Sequence, residues 1–151
     1  MALNLADICT AVGDQLRANL AGGSQRQMTI DEFCVGASAP VIRLELQPSD
    51  PIDYWLTMSP DGAERGGVSE VRFDLIVDVA GVNGDSVKRL YDFLSVGTGN
   101  GESVIDALLA DKTLGGVVET IHVSGVSEYD AINVTATLPL RVVCRKSGAE
   151  A

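Results

Sequence analysis

The chain has 151 residues, 46% of them apolar and 21% charged, and its 21 acids outweigh 11 bases for a formal net charge of −10. That length suits one domain able to bury roughly two-thirds of its unfolded surface. The acid excess argues against a protein that grips the outside of a nucleic acid, because phosphate contacts need clustered Lys and Arg; it suits simple solubility, or a surface that must repel DNA.

Residues 3–21 read as an amphipathic helix, with Leu5, Ile8, Val12, Leu16 and Leu20 recurring every three or four positions. Asn4 offers an N-cap, Asp7 suits the helix dipole, and Gly22-Gly23 supplies a stop. Gly13 costs the helix up to ~1 kcal/mol relative to Ala and points to a close helix–sheet contact. Residues 28–35 are a candidate strand that buries Met28, Ile30 and Phe33, although Asp31-Glu32 breaks the alternation. Residues 41–46 place Ile42, Leu44 and Leu46 on one face and Arg43 and Glu45 on the other. Pro48-Ser49-Asp50-Pro51 is a turn. Residues 52–58 alternate so that Trp55 lies on the more polar face with Asp53 and Thr57, either as a half-exposed sheet aromatic or as a partner contact. Residues 59–67 form a polar, glycine-rich hairpin loop. In residues 68–79, Val71, Phe73, Leu75, Val77 and Val79 face one way; Glu70, Arg72, Asp74 and Asp78 face the other, with Ile76 as the exception. One solvated face predicts an antiparallel or mixed sheet.

Residues 83–126 read as a crossover. Asn83 or Asp85 caps a helix whose face is Val87, Leu90, Tyr91 and Leu94; a second, shorter helix shows Val104, Ile105, Leu108 and Leu109. The glycine-rich segment 97–101 follows a helix and lacks a Lys-Ser/Thr, so it is a connector and not a phosphate loop. After Leu114-Gly115-Gly116 the pattern becomes period two. Residues 117–124 form a strand that carries the only histidine, His122, on its surface. Residues 132–144 form the longest strand, with Ile132, Val134, Ala136, Leu138, Leu140, Val142 and Cys144 on one face and Asn133, Thr135, Thr137 and Arg141 on the other. At ~3.3 Å per residue it spans ~40 Å and is expected to reach beyond the monomer. Pro139 requires an edge position or a bulge.

The expected fold is α+β: a mostly antiparallel sheet, with the N-terminal helix and the two-helix crossover packed on one face, and a long C-terminal strand. Residues 1–145 form a single domain and residues 146–151 a polar tail. Cys9, Cys34 and Cys144 form no C-x-x-C, and the apolar settings of Cys9 and Cys144 predict buried free thiols of a reducing compartment. No nucleophile elbow, paired histidines or metal-ligand spacing is visible, so no catalytic, cofactor or metal residue is assigned and an enzyme is not expected. No signal segment or membrane span is evident, which points to the cytosol or to something assembled there.

The stretch DYWLTMSPDGAE, then a strand, then SVKRLYDFLS, then GESVIDALLADKTLGGVVETIHVSGVSEYD resembles the tail terminator (tail completion) proteins of long-tailed, non-contractile bacteriophages. The likeness covers about residues 41–145 and centres on Thr113-Leu114-Gly115-Gly116 and the return strand that follows. It implies a structural virion protein: a homo-oligomeric ring, usually a hexamer, that caps the head-proximal end of the tail tube. Such a ring stops tube polymerisation and meets the head–tail connector, and DNA passes through its lumen without specific binding. The implied location is the neck of the virion, assembled in host cytoplasm. Candidate contacts to tube or connector are Trp55, Asp61, Glu64 and Arg65, with residues 48–51 as a second axial loop. Candidate ring contacts are Arg72, Asp74, Thr135, Thr137 and Arg141, together with the N-terminal helix. Leu114, Gly115 and Gly116 are structural. The alternatives are a head–tail stopper, a tail tube subunit, or a small cytosolic ligand-binding domain.

Overall fold

The computed structural model describes residues 5–20, 29–58, 64–79, 84–97 and 103–144, and for 54–58 and 64–69 the backbone alone. Its elements run α1 (Leu5–Asn19), β1 (Thr29–Asp31), β2 (Val41–Leu46), β3 (Ile52–Met58), β4 (Glu64–Asp78), α2 (Gly84–Leu94), α3 (Val104–Leu109), β5 (Thr120–Val123), β6 (Glu128–Asp130) and β7 (Thr135–Val143). The fold is α+β. One mixed sheet has the order β1-β2-β4-β7-β5, with β3 also on β4 and β6 also on β7. Among the described residues only the β1–β2 pair is parallel.

Two long composite pairings explain this order. β2 and β3 lie end to end along the same edge of β4, opposite 73–78 and 64–71 respectively. The 48–51 turn is spliced between them and held by Gln47 N–H to Arg72 O and Arg72 N–H to Pro51 O. β5 and β6 likewise share one edge of β7. The segment between them bulges, keeping Ser124 N–H on Pro139 O and Ser127 N–H on Thr137 O. Pro139 O faces this bulge, and so does the nitrogen that lacks a hydrogen. The irregularity that Pro139 demands is therefore met by the neighbouring strand.

The core lies between the sheet and the helices. Ile8, Val12 and Leu16 of α1, Leu90 and Phe93 of α2, and Val104 and Leu108 of α3 join the odd positions of β4 and the even positions of β7 in one buried cluster. Gln15 of α1 donates its amide to the carbonyls of Ala107, Leu108 and Asp111, tying α1 to the free carbonyl end of α3. Gly13 sits where a Cβ would collide with the Glu32 carboxylate, the group that Arg17 pairs with; the close contact is thus with a side chain of the turn after β1 and not with the sheet.

Several expectations are corrected. Phe33 is half-exposed rather than buried, because the strand stops at Asp31. Tyr91 is also exposed, and Phe93 takes its place in the core. The hairpin loop is shorter than 59–67, since β4 begins at Glu64. β7 begins at Thr135, and Ile132 is 76% exposed in the preceding turn. With β4 on one side and β5 and β6 on the other, β7 is interior and does not reach out of the molecule. The proposed caps and stop at Asn4, Gly22, Gly23 and Asn83 lie outside the described residues, as does Met28.

Candidate functional site: the uncovered sheet face and its edges

The face of the sheet opposite the helices is half-exposed. Cross-strand register places Arg72 beside Arg141, Asp74 beside Pro139, Thr137 beside Ile76 and Thr135 beside Asp78. All five candidate ring residues therefore share this face. β2 adds Arg43 and Glu45, β6 adds Glu128 and Asp130, and β5 adds His122 next to Arg141. Counting Asp53, Glu70 and Asp78 as well, and leaving out the buried Asp31, seven carboxylates meet three arginines, a formal excess of four negative charges among the described side chains. Strand alternation shows Asp74 and Glu70 as solvated acids. It does not reveal that Glu45 and Glu128 flank Asp74, because strand order is a tertiary fact.

The arginines are engaged within the chain. Glu70 bridges the cross-strand pair, contacting Arg72 and Arg141, the latter at 3.3 Å. Arg72 also donates to Asp50 O at 2.7 Å and so clamps the 48–51 turn. Arg43 pairs with Asp78 at 3.4 Å. Asp74 accepts from Gln47 Nε2 at 3.2 Å. Burial pushes its carboxyl pKa up against that hydrogen bond, helped by repulsion from Glu45 and Glu128.

At one end β4 outruns the sheet. β7 pairs with it only as far as Glu70, so over 64–68 its described partner is β3 alone. This two-stranded arm extends about 15 Å at strand rise. In its register Trp55 stands opposite Gly67, and Arg65 and Glu64 stand opposite Thr57 and Met58. The side chains of Trp55, Glu64 and Arg65, and the whole of Asp61, lie outside the described residues.

Three turns are built around single aspartates. Asp31, 4% exposed, accepts from the N–H groups of Val35, Gly36 and Ala37. Asp111 accepts from Thr113 N–H and Oγ1 and from Gly115 N–H. Asp130 accepts from Ile132 N–H and from the N–H and Nδ2 of Asn133. Each carboxyl is held below its usual pKa, chiefly by Val35 N–H, the Thr113 hydroxyl and the Asn133 amide in turn. The Asp111 turn delivers the Leu-Gly-Gly motif. Leu114 is 4% exposed, and Leu114, Gly115 and Gly116 have φ of 50°, 72° and 91°. The side chain anchors the turn while the two glycines take left-handed conformations without a Cβ penalty.

At the far edge, Tyr129 of β6 meets Tyr91 of α2, with ring centroids 6.4 Å apart and hydroxyls at 3.5 Å. An open groove of about 620 Å³ lies along β6, the following turn and β7. The cysteines are free: Cys144 is buried, with its thiol pushed to about 11 by burial and by Glu70, whereas Cys34 is exposed at φ 52° beside Glu45. Among the described residues no group of three or more His, Cys, Asp or Glu could hold a metal ion, and no helix is long and apolar enough to cross a membrane.

The sequence matches no protein-family model, and no curated protein matches it.

Proposed function

We propose that this chain is a structural virion protein that forms a ring on the head-proximal end of a phage tail tube, ends tube growth and joins the tail to the head connector, as its likeness to tail terminator proteins implies. The observation that carries the reading is the sheet face opposite the helices, which among the described residues has an excess of four exposed or half-exposed negative charges. A concave array of such faces would repel a polyanion sliding past instead of retaining it. The motif behind the resemblance also has a packing role here, since Leu114-Gly115-Gly116 turns the crossover back into the sheet.

Rings use heterologous contacts, one patch against a different patch on the next copy. In this reading the β3–β4 arm, with Trp55, Asp61, Glu64 and Arg65, reaches a neighbour or the tube. Asp74, Thr135, Thr137 and Arg141 then lie on the lumen side, while Arg72 serves mainly to clamp the 48–51 turn.

Native mass spectrometry with and without tail tube protein tests this. A closed ring that caps and shortens tubes supports the terminator. Open polymers from this chain alone would make it a tube subunit, and a monomer indifferent to tube protein would overturn the reading. Replacing Asp61, Glu64 and Arg65 by Ala is expected to weaken capping without unfolding the monomer. Replacing Glu45, Asp74 and Glu128 by Lys is expected to slow DNA ejection; normal ejection would sink the lumen assignment.

A further inference from the structure

We infer that Glu70 is the centre of a latch that sets the inclination of the β3–β4 arm on the sheet, and that salt releases it. The latch deepens the reading in which the arm reaches a neighbour or the tube, and it rests on that reading only for what the arm meets.

The arm has the makings of a hinge at its root. At the level of Glu70 the sheet narrows, because β7 pairs with β4 no further than Glu70–Val143. β2 has by then given way to β3 across the 48–51 turn. The β3–β4 register shifts between Asp53 and Tyr54. An irregularity of this kind bends its strand, and a two-stranded ribbon twists more than a wide sheet. Two strands by themselves are also marginally stable, so the arm's direction depends on a hold at its root.

One chain of polar contacts supplies that hold and grips both strands. Glu70 stands on β4 at the narrowing, with 18% of its side chain exposed. Its Oε1 meets Arg141 Nε of β7 at 3.3 Å, and its Oε2 meets Arg72 Nη2 at 2.5 Å. Arg72 Nη1 donates to Asp50 O at 2.7 Å, and Arg72 N–H donates to Pro51 O at 2.7 Å. Asp50 has φ 49°, a left-handed turn conformation that the guanidinium holds just before β3 begins. The body of the sheet is thus joined through Glu70 to the root of β4, and through Arg72 to the root of β3.

The two faces of the root respond differently to salt. On the helix side Val71 and Val142 are fully buried, and packing holds them. On the other side the hold is ionic. Arg72 and Arg141 stand beside each other in register, and like charges so placed repel; Glu70 neutralises that repulsion as it joins them. The arginine side chains are 32% and 51% exposed, so salt screens these pairs.

The test is the distance between two spin labels in the full chain, measured by pulsed electron resonance without tube protein. One label sits on native Cys34, exposed and outside the arm, and the other on Thr57→Cys in the arm, with Cys9→Ala and with Cys144 buried. At low salt this chain should give one narrow distance distribution. Glu70→Gln keeps the side chain's shape, removes its charge and should broaden the distribution. Salt at about 1 M, where the screening length is about 3 Å, should broaden the parent in the same way and change Glu70→Gln no further. Hydrogen exchange at 54–58 and 64–68 should quicken about tenfold in Glu70→Gln, with 73–78 and 136–142 unchanged. Glu128→Gln, on the same face outside the chain of contacts, should alter neither readout. A distribution already broad at low salt, no change in Glu70→Gln, an equal change in Glu128→Gln, or faster exchange throughout the sheet would overturn the latch. If Glu70→Gln fails to fold by circular dichroism, the salt series on the parent decides. A chain that gives these results and fails to cap tubes keeps the latch and loses the terminator reading.

Discussion

Along β4 and β7 successive residues alternate between two faces that the molecule treats in opposite ways. Val71, Phe73, Leu75, Leu138 and Leu140 are at most 1% exposed beneath the helices, whereas Glu70, Arg72, Asp78 and Arg141 keep 18–51% of their side-chain surface. The buried face is constrained by packing, where each lost methylene costs transfer energy and leaves a cavity. The opposite face is held by ion pairs and hydrogen bonds among its own side chains, and its charge is left unbalanced among the described residues. One face therefore holds the fold together while the other carries the charge excess.

The contrast can be broken first by truncation. Leu138→Ala should cost about 2–5 kcal/mol, while its outward neighbour Thr137→Ala should stay within about 0.5 kcal/mol; urea unfolding of both variants measures the difference. Equal losses would mean that the bare face is covered in solution.

The crossover return comes next. Gly116→Val places a β-branched side chain at φ 91° and should cost about 1–3 kcal/mol, read as a lower urea midpoint with an unchanged slope. Gly84→Ala, whose Cβ meets nothing within 4 Å, is the control and should be neutral or slightly stabilising.

A third test uses the opposite pKa directions of two sheet acids. Asp31 is lowered in the folded state, so its contribution is present above the unfolded carboxyl pKa and is lost as pH falls through the folded value. Asp31→Asn should therefore destabilise at pH ~7, by about 1–3 kcal/mol for the charge-assisted bonds lost from a buried side chain. Asp74 is raised, so the ionised group opposes folding above its folded pKa and the protonated form relieves it. Asp74→Asn should stabilise slightly at pH ~7, and both charge effects should fade in acid, as pH falls through each group's folded pKa. Urea midpoints at the two pH values check the signs.

The smallest effect concerns α1. Gly13→Ala gains up to ~1 kcal/mol of helix propensity but pushes Glu32 off Arg17, a surface bridge worth about 0.2–1 kcal/mol, and crowds the Glu32 Cβ at 3.1 Å. It should stabilise the Glu32→Ala protein more than the parent; no difference in that double-mutant cycle would deny the contact.

Local pattern alone determines the α+β class, the faces of α1 and β4, the two-helix crossover and the role of Leu114-Gly115-Gly116. Each of these depends on residues within a turn or two of one another, where periodicity and glycine conformation act directly. It also shows that Pro139 needs an irregularity, but not that the neighbouring segment 124–127 supplies it. Tertiary structure alone decides that β7 is interior, that β4 with β3 forms the projecting arm, and that Glu45, Asp74 and Glu128 share a neighbourhood. Strand order is set by which apolar faces pack over the whole sheet. A sequence names the residues on a strand's outer face without naming the strand that will lie beside it.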